Sequence, residues 1–389
     1  MGLARALLRE PSADTGPFLF SVLADEPSPR IRRAIVRSVR ADSPDSLDAA
    51  LIRHAESEPD AEVVLAILDR VASMRTGPLV DVLERRLRMP AEPLSPGETD
   101  LLQRALETWT VRARGSMVPE FLREAPPVFE VVPAGRPIRA FAWGDFGRGT
   151  PGQRRVAEAL RLYHGRDPGD FAITVGDNFY PRGMESPADG RWKELWDDLY
   201  EPLQLSVFAS LGNHDWGHPD SPAAEVLQSR AGGAWQMPAT RYSFTAGPAQ
   251  FFAIDSELAS EWQRSWLERE LERSTARWKI VYGHHPVFSY GRHGDTPVLV
   301  PWLWPLLQEH ADLYLAGHDH DLQHLVRDGV WLVVTGAGGA GLRPTGKRPD
   351  SLFAASVHGF TVLEADEDSL TVRMVDDEGR VLHEATRTP

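Results

Sequence analysis

The sequence predicts an α/β catalytic domain preceded by an all-helical domain, and three observations support this prediction. Residues 1 to about 115 contain no stretch with the pattern of a β-strand. From Ile138 onward, short apolar runs typical of buried strands alternate with helical patterns. Five of those runs end in a small residue or glycine followed by Asp, Asn or His. Open α/β sheets place their functional residues at this carboxyl edge.

The composition excludes several kinds of site. The chain has 389 residues and no cysteine, which excludes thiolate metal sites, disulfides and cysteine nucleophiles. Its formal net charge is -14, and 24 Lys and Arg stand against 35 Asp and Glu after Arg136. An acidic domain argues against non-specific binding of nucleic acid. Bound metal ions can still reverse the local field and attract anionic phosphates.

The sequence indicates no targeting or membrane-spanning segment. Glu10, Pro11, Asp14 and Pro17 interrupt any apolar core that a signal peptide would need within residues 1–22. No run approaches the roughly 18 apolar residues of a transmembrane helix. We therefore expect a cytoplasmic protein that contacts neither membranes nor nucleic acid.

Residues 1–125 are predicted to form the helical domain, in which a faint repeat is visible. Glu-Pro dipeptides begin at positions 26, 58 and 92, and each precedes an apolar stripe of helical period. Paired helices at a fixed period are typical of solenoids, and this pattern resembles HEAT-like repeats. An irregular helical bundle is the alternative. Neither arrangement supplies a catalytic constellation, and a solenoid surface suits a protein partner.

Residues 126–137 are rich in proline and form the predicted linker to a catalytic domain at 138–389. Strands and helices then alternate. The predicted strands are Ile138–Trp143, Phe171–Val175, Val207–Leu211, Phe251–Ile254, Lys279–Tyr282 and Leu313–Ala316. The predicted helices are Gly152–Tyr163, Arg191–Tyr200 and Glu261–Arg273. The tail from Gly359 to Ala385 alternates as two or three antiparallel strands, with a turn at 377–379.

Five of the six predicted strands are followed by a glycine and then by polar residues. Asp145 comes just after the first strand, and Asp177 follows the second, where Gly176 allows the chain to turn sharply. The other three strand ends carry Asn213-His214, His284-His285 and His318-Asp319-His320. Because the ends of neighbouring strands meet at one edge, we expect a single crevice. Carboxylate, imidazole, amide and phenol groups together make a ligand set for two hard or borderline metal ions.

The order of these motifs resembles that of the calcineurin-like metallophosphoesterases, and most closely the small purple acid phosphatases, also called tartrate-resistant acid phosphatases. The resemblance covers about two thirds of the chain, from residue 137 to 388. It implies a four-layer αββα sandwich and a hydrolase of phosphoric esters. The matching segments are Gly144-Asp145-Phe146-Gly147, Gly176-Asp177-Asn178-Phe179-Tyr180, Gly212-Asn213-His214-Asp215, Gly283-His284-His285-Pro286-Val287, His293-Gly294 and Gly317-His318-Asp319-His320.

The resemblance further implies that seven of these side chains hold two metal ions. Three bind the first ion, three bind the second, and one carboxylate bridges both. In that order they are Asp145, Tyr180 and His320, then Asn213, His284 and His318, and finally Asp177. In the family the first ion is ferric iron, and the second is ferrous iron, zinc or manganese. The residue types agree, because phenolate and carboxylates suit a trivalent ion, whereas imidazoles and an amide suit a divalent one.

Two further histidines match the family's catalytic residues that do not bind metal. These are His214 and His293, which would contact the phosphate and assist the leaving group. The implied reaction is phosphomonoester hydrolysis by in-line attack of a hydroxide generated at the two metals. The substrate would be a phosphorylated small molecule or a phosphoprotein. Phosphodiester hydrolysis is the near alternative, and a protein-interaction scaffold with a vestigial phosphatase domain is the rival from another class.

Three features depart from the pattern or compete with it. His285 stands where close relatives often carry tyrosine, and it would either tune substrate binding or simply pack. The run Gly336–Gly341 fits a dinucleotide-binding fingerprint, but Arg343 and Pro344 follow it, so no helix is predicted where a phosphate would need one. We expect this run to pass close beside the metal crevice. Trp216 either lines the substrate pocket or belongs to the core.

Overall fold

The computed structural model describes residues 125–217 and 221–388, together with residues 23, 26–38, 51, 54–55, 58, 60, 63–64 and 66–67. The chain divides into two compact units, Met1–Met117 and Val118–Pro389. Among the helices of the described residues, none combines the length and the apolar character needed to cross a membrane.

In the first unit, helix α1 spans Pro29–Ser38. Proline suits the first position of a helix because its φ is already helical and its missing N–H would have no partner there. Arg32 and Glu58 form a buried ion pair with an N–O distance of 2.7 Å. Burial opposes ionisation of Glu58, but hydrogen bonds from His54 and Arg32 lower its pKa to about 2. The predicted repeat lies largely outside the described residues.

The second unit is built on two sheets, whose strands are numbered here in chain order. The first eight are β1 Phe129–Val132, β2 Ile138–Trp143, β3 Phe171–Val175, β4 Val207–Ser210, β5 Trp235–Gln236, β6 Tyr242–Ala246, β7 Ala249–Ala253 and β8 Trp278–Tyr282. The others are β9 Leu313–Ala316, β10 Leu322–Arg327, β11 Val330–Thr335, β12 Ser351–Ala355, β13 Gly359–Ala365, β14 Leu370–Asp376 and β15 Val381–Arg387.

The eight-stranded sheet has the order β1-β6-β7-β8-β9-β11-β10-β12, and the seven-stranded sheet has the order β15-β14-β13-β2-β3-β4-β5. Strands β2, β3 and β4 are parallel, as are β7, β8 and β9. Their carboxyl ends therefore lie along a common edge of each sheet. The three closing strands β13, β14 and β15 are antiparallel, as their alternating sequence predicts.

Helices flank the two sheets. They are α2 Pro151–Arg166, α3 Asp198–Tyr200, α4 Ser221–Ser229, α5 Glu261–Arg273, α6 Leu299–Trp302 and α7 Trp304–His310. The Trp-rich helix predicted at 191–200 is present, but its middle, Lys193–Asp197, is a π-helix. Helix α2 is capped by Thr150, whose side chain accepts a hydrogen bond from the Gln153 N–H.

Alternating residues of the eight-stranded sheet separate two apolar cores. Ile280 and Tyr282 of β8 belong to the core that also contains the residues of the seven-stranded sheet. Val281, between them, packs into a second core with α5, α6 and α7. Since successive side chains of a strand point to opposite faces, the sheet lies between the other sheet and these helices. With α2 packed on β13 of the seven-stranded sheet, the arrangement is the mixed α/β sandwich predicted from the sequence.

Candidate metal centre

The strand ends bring the predicted ligands into one crevice. Asp145, Asp177 and His318 each come directly after the glycine that follows β2, β3 or β9, and their φ angles are 57°, 50° and 68°. Residues other than glycine adopt this left-handed conformation at a cost on the order of 1–3 kcal/mol each, and such residues cluster at functional sites. The sharp turn after each strand thus brings these three residues to the same crevice, where the His318 N–H donates to Asp145 Oδ2.

Four predicted ligands form one half of the cluster, and all four are buried. The Tyr180 hydroxyl donates to Asp177 Oδ2 at 2.9 Å and lies 3.2 Å from Asp145 Oδ1. His320 Nε2 lies 3.4 Å from Asp145 Oδ1 and 3.5 Å from the Tyr180 hydroxyl. Two carboxylates, a phenol and an imidazole thus meet within hydrogen-bonding distance, and these include the three ligands expected for a first ion.

Three predicted ligands form the other half. Asn213 Oδ1 lies 3.2 Å from His284 Nε2 and 3.0 Å from His318 Nδ1. The two imidazole nitrogens are 3.2 Å apart. Asp177 joins this half to the first, because its Oδ1 lies 3.4 Å from His284 Nε2. Its two oxygens therefore face the two halves separately, as a bridging carboxylate requires.

Backbone carbonyls orient two of the imidazoles. His284 Nδ1 lies 2.9 Å from the Val175 carbonyl, and His320 Nδ1 lies 2.7 Å from the Gly341 carbonyl. Each Nδ1–H donates to its carbonyl, which leaves the Nε2 lone pair directed into the cluster. Histidines that bind metals are held in this way by their second nitrogen.

The donor set fits positively charged metal ions. Ligand atoms of Asp145, Asp177 and His284 all lie within 4.8 Å of one another. Burial, together with the charges of Asp177 and Asp145, raises the pKa of Tyr180 well above its usual range. Burial also lowers the pKa of His318 well below its usual range, so this ring is neutral. Buried acceptors this close together repel one another unless a cation lies between them.

The two histidines predicted to act on the phosphate lie beside the cluster. The His214 ring lies against that of Tyr180, with centroids 4.3 Å apart, and its Nε2 is 3.9 Å from Asp177 Oδ2. The His293 ring lies 4.2 Å from that of His318. All nine site residues predicted from the sequence therefore surround one crevice.

His285 packs against the cluster and is itself held by neighbours. Its Nδ1 lies 2.9 Å from the hydroxyl of Ser256, and its Nε2 is 3.3 Å from Glu257 Oε1. Ligand atoms of His284, His285 and His318 lie within 4.8 Å of one another. This position is compatible with both predicted roles of His285, tuning substrate binding and packing.

A buried pair of carboxyl groups supports the loops of the centre, and the sequence analysis assigned it no role. Asp215 accepts hydrogen bonds from the backbone N–H groups of Asn178 and Gly212, next to Asp177 and Asn213. Burial raises the pKa of Glu225 to about 8, and burial with Glu225 nearby raises the pKa of Asp215. The pair therefore keeps at least one proton at neutral pH. The position of Asp215 in the segment Gly-Asn-His-Asp could have indicated its role from the sequence. Glu225 lies in no motif that could have done so.

Two arginines at the crevice were not predicted from the sequence to be functional residues. Arg148 lies with its guanidinium carbon 5.2 Å from the centre of the Tyr180 ring. Arg343 contacts His293 Nε2 through its Nη1. Arginines in loops carry no motif, so only their position in the fold distinguishes them.

The two competing features have structural explanations. The run Gly336–Gly341 opens no helix, as predicted. A Cβ on Gly336 would lie 2.2 Å from the Asp319 carbonyl and 2.7 Å from Asp145 Oδ2, so this run does pass against the centre. Trp216 is 9% exposed and its indole N–H donates to Asp255 Oδ2 at 3.0 Å. It is therefore largely a core residue.

Comparison with known proteins identifies the family of the chain. The profile of the calcineurin-like phosphoesterase family matches residues 141–322. Purple acid phosphatase 7 of Arabidopsis thaliana is 29% identical over 278 residues, which cover 62% of this chain and 84% of the relative. Tartrate-resistant acid phosphatase type 5 of Oryctolagus cuniculus is 30% identical over 261 residues, covering 56% of this chain and 79% of the relative.

A solved structure with the same fold is GAP50, described as the anchor in the inner membrane complex of Plasmodium. It has a TM-score of 0.60 and 25% identity, and the match covers 65% of this chain and 89% of that one. The strand-end carboxylates and histidines, the family profile and the phosphatase relatives agree with one another. The chain therefore belongs to the calcineurin-like phosphoesterase family and is a metal-dependent hydrolase of phosphoric esters related to the purple acid phosphatases.

Proposed function

We propose that the protein hydrolyses phosphomonoesters at a centre of two metal ions. The observation that carries this proposal is the convergence of six donor groups around Asp177, whose two oxygens face different sets of ligands. When bound, two ions would polarise the phosphate and lower the pKa of a water shared between them. Asp145, Tyr180 and His320 would hold the first ion. Asn213, His284 and His318 would hold the second.

The residue types also support the metal identities proposed from the sequence. Tyr180 and Asp145 provide anionic oxygens at the first site, which suits ferric iron. His284, His318 and the Asn213 amide suit ferrous iron, zinc or manganese at the second site. Deprotonation of Tyr180 would depend on the ion, because burial and the carboxylates around it oppose the phenolate.

His214 is the better placed of the two histidines to protonate the leaving group. Its Nδ1 lies 2.6 Å from the Pro181 carbonyl, to which the Nδ1–H donates. Its Nε2 is then the atom that faces the crevice, and about a third of the side chain is open to solvent. This atom can hold a proton beside the phosphate and pass it to a departing alkoxide.

His293 fits a different role. Its Nε2 faces the guanidinium of Arg343, which has only donors. Burial, and the positive charge of Arg343 among its neighbours, lowers the pKa of His293 to about 4. The ring is therefore neutral at neutral pH. We assign it to holding the phosphate and Arg343 in place, and not to supplying a proton.

This division can be tested with leaving groups of different acidity. His214→Ala should keep both metal ions and reduce turnover of an alkyl phosphate by roughly 10²-fold or more, the usual effect of general acid catalysis. On p-nitrophenyl phosphate the loss should be much smaller, because that leaving group needs no proton. His293→Ala serves as the control and should slow both substrates equally. Equal losses for the two substrates in His214→Ala would remove His214 as the general acid.

Two alternatives to phosphomonoester hydrolysis can be tested by experiment. The same centre could act on phosphodiesters, and a substrate panel with both ester types separates the two reactions. The likeness to a Plasmodium protein described as an anchor supports a second candidate role, that of a scaffold for a protein partner. A purified protein that holds two metal ions but hydrolyses no phosphate ester would support the scaffold. The cytoplasmic location stays a prediction from the sequence.

A further inference from the structure

Arg343 lies at the edge of the metal centre, on the loop that follows Gly336–Gly341. Its Nη1 contacts His293 Nε2 and lies 3.4 Å from the His318 carbonyl oxygen. Its backbone N–H donates to the His320 carbonyl at 3.2 Å. The guanidinium is thus placed beside one histidine of the phosphate site and against the segment that carries two predicted metal ligands.

The loop that carries Arg343 is anchored to its surroundings. The Gly346 N–H donates to the Tyr290 carbonyl at 2.9 Å. The Tyr290 hydroxyl in turn donates to Asp350 at 2.6 Å, and Arg327 pairs with the same carboxylate at 2.8 Å. These contacts anchor the part of the loop that follows Arg343, and the hydrogen bond from the Arg343 N–H to the His320 carbonyl anchors the residue itself.

The charge of Arg343 has no direct acidic partner in the part of the chain that the structure describes. Among the residues that the structure describes, no carboxylate lies within 4 Å of its guanidinium, whereas Arg182, Arg191 and Arg327 each have one. Arg343 is half-buried. A cation that gives up part of its hydration without gaining an acidic partner is destabilising. An anion from solution would supply the missing partner.

We propose that Arg343 binds a non-bridging oxygen of the substrate's phosphoryl group and thereby makes the site select phosphomonoesters over phosphodiesters. A monoester carries three non-bridging oxygens, and a diester carries two. If metal ions engage two oxygens, only a monoester has a third anionic oxygen left for the guanidinium. Charge-assisted hydrogen bonds from arginine to phosphate are among the stronger ones in proteins. This inference rests on the proposed function.

A purely structural role is the competing explanation. Arg343 could act only through His293, by holding that ring in place. In that case, removing the guanidinium would have no further effect once His293 is gone. If Arg343 touches the phosphate itself, its removal still weakens binding in a protein that lacks His293. A double-mutant cycle separates these two cases.

The first measurement is binding of inorganic phosphate to the metal-loaded full-length protein by calorimetry. Arg343→Gln should weaken phosphate binding roughly tenfold to hundredfold, the effect of losing a hydrogen bond to a charged group. Arg348→Gln is the matched control: it removes the same charge from the same loop, but its exposed guanidinium stacks on Tyr290. The control should bind phosphate as the wild type does. The Arg343→Gln loss should persist in a His293→Ala background.

The second measurement is kcat/KM for p-nitrophenyl phosphate and for bis-p-nitrophenyl phosphate in the same preparations. Arg343→Gln should lower the monoester value roughly tenfold to hundredfold and leave the diester value nearly unchanged. Equal effects on both esters, or phosphate binding equal to that of Arg348→Gln, would overturn the inference. So would a loss that vanishes in the His293→Ala background. A wild type that binds phosphate without hydrolysing either ester would refute the proposed function alone, since the binding cycle still tests Arg343.

Discussion

Burial changes the protonation states of single residues around the metal centre. Around the centre, Glu225 takes up a proton because burial raises its pKa to about 8, while His293 loses one because burial lowers its pKa to about 4. A neutral histidine and a protonated carboxyl are both cheaper to bury than their charged forms. The formal net charge of -14 counts Glu225 as ionised, whereas in the folded protein this carboxyl is largely protonated at neutral pH.

His324 of β10 shows the same effect and gives a prediction about pH. Burial, and the neighbouring His383, lower its pKa from 6.5 to about 3. Below pH 6.5 the unfolded chain binds a proton here that the folded chain does not. The free energy of unfolding should therefore fall as pH drops from 6.5 toward 3, by up to about 1.4 kcal/mol per pH unit. Urea denaturation of His324→Phe should show a shallower loss over this range, and an identical pH profile would contradict the assignment.

At the scale of secondary structure elements, the strands that carry the site were the most predictable. β2, β3 and β9 have the predicted bounds because parallel strands buried on both faces read as unbroken apolar runs. β10 was not predicted, since Gln323, His324 and Arg327 interrupt its apolar pattern. Its buried Gln323 donates hydrogen bonds to the Ser289 hydroxyl and to Asp321. Ser289 is distant in sequence and Asp321 precedes the strand, so the strand's own pattern does not reveal these partners. β6 and β12 were missed as well, because polar or half-exposed positions break their patterns.

The loop after β11 gives a prediction about how closely its backbone approaches the metal centre. Gly336→Ala should disturb Asp145 and the Asp319 carbonyl, because its Cβ would lie 2.7 Å and 2.2 Å from them. We expect a loss on the order of 1–3 kcal/mol in stability, as for overpacked sites, and weaker metal binding. Gly341→Ala is the matched control, since no heavy atom lies within 4 Å of its Cβ. Thermal denaturation and metal titration should separate the two variants, and equal behaviour would contradict the close approach.

At the scale of the whole molecule, the sequence was informative about one unit and much less so about the other. The catalytic unit follows a known order of motifs, so its site residues could be named before their positions were seen. The first unit, predicted to be helical, offers only a weak period at positions 26, 58 and 92. Solenoid repeats are recognised by their apolar faces, and such faces do not specify a partner. A protein partner for this unit stays a prediction.

The division of labour between the units can be tested with a fragment that begins at Val118, the first residue of the second unit. It should fold, bind two metal ions and hydrolyse a small aryl phosphate about as fast as the full chain, because all nine site residues belong to it. Activity assays on metal-loaded fragment and full chain provide the comparison. A fragment that is soluble and metal-loaded but inactive would show that the first unit contributes to the active site.

The central claim is that Asp177 joins two metal ions into one hydrolytic centre. The most direct measurement is the metal content and turnover of the same samples of wild type and Asp177→Asn, which keeps the shape of the side chain and removes its charge. Elemental analysis should find two equivalents of metal in the wild type, with turnover reaching its maximum only at the second equivalent. Asp177→Asn should lose metal at both sites and all turnover. Two full equivalents and retained turnover in Asp177→Asn would contradict the account.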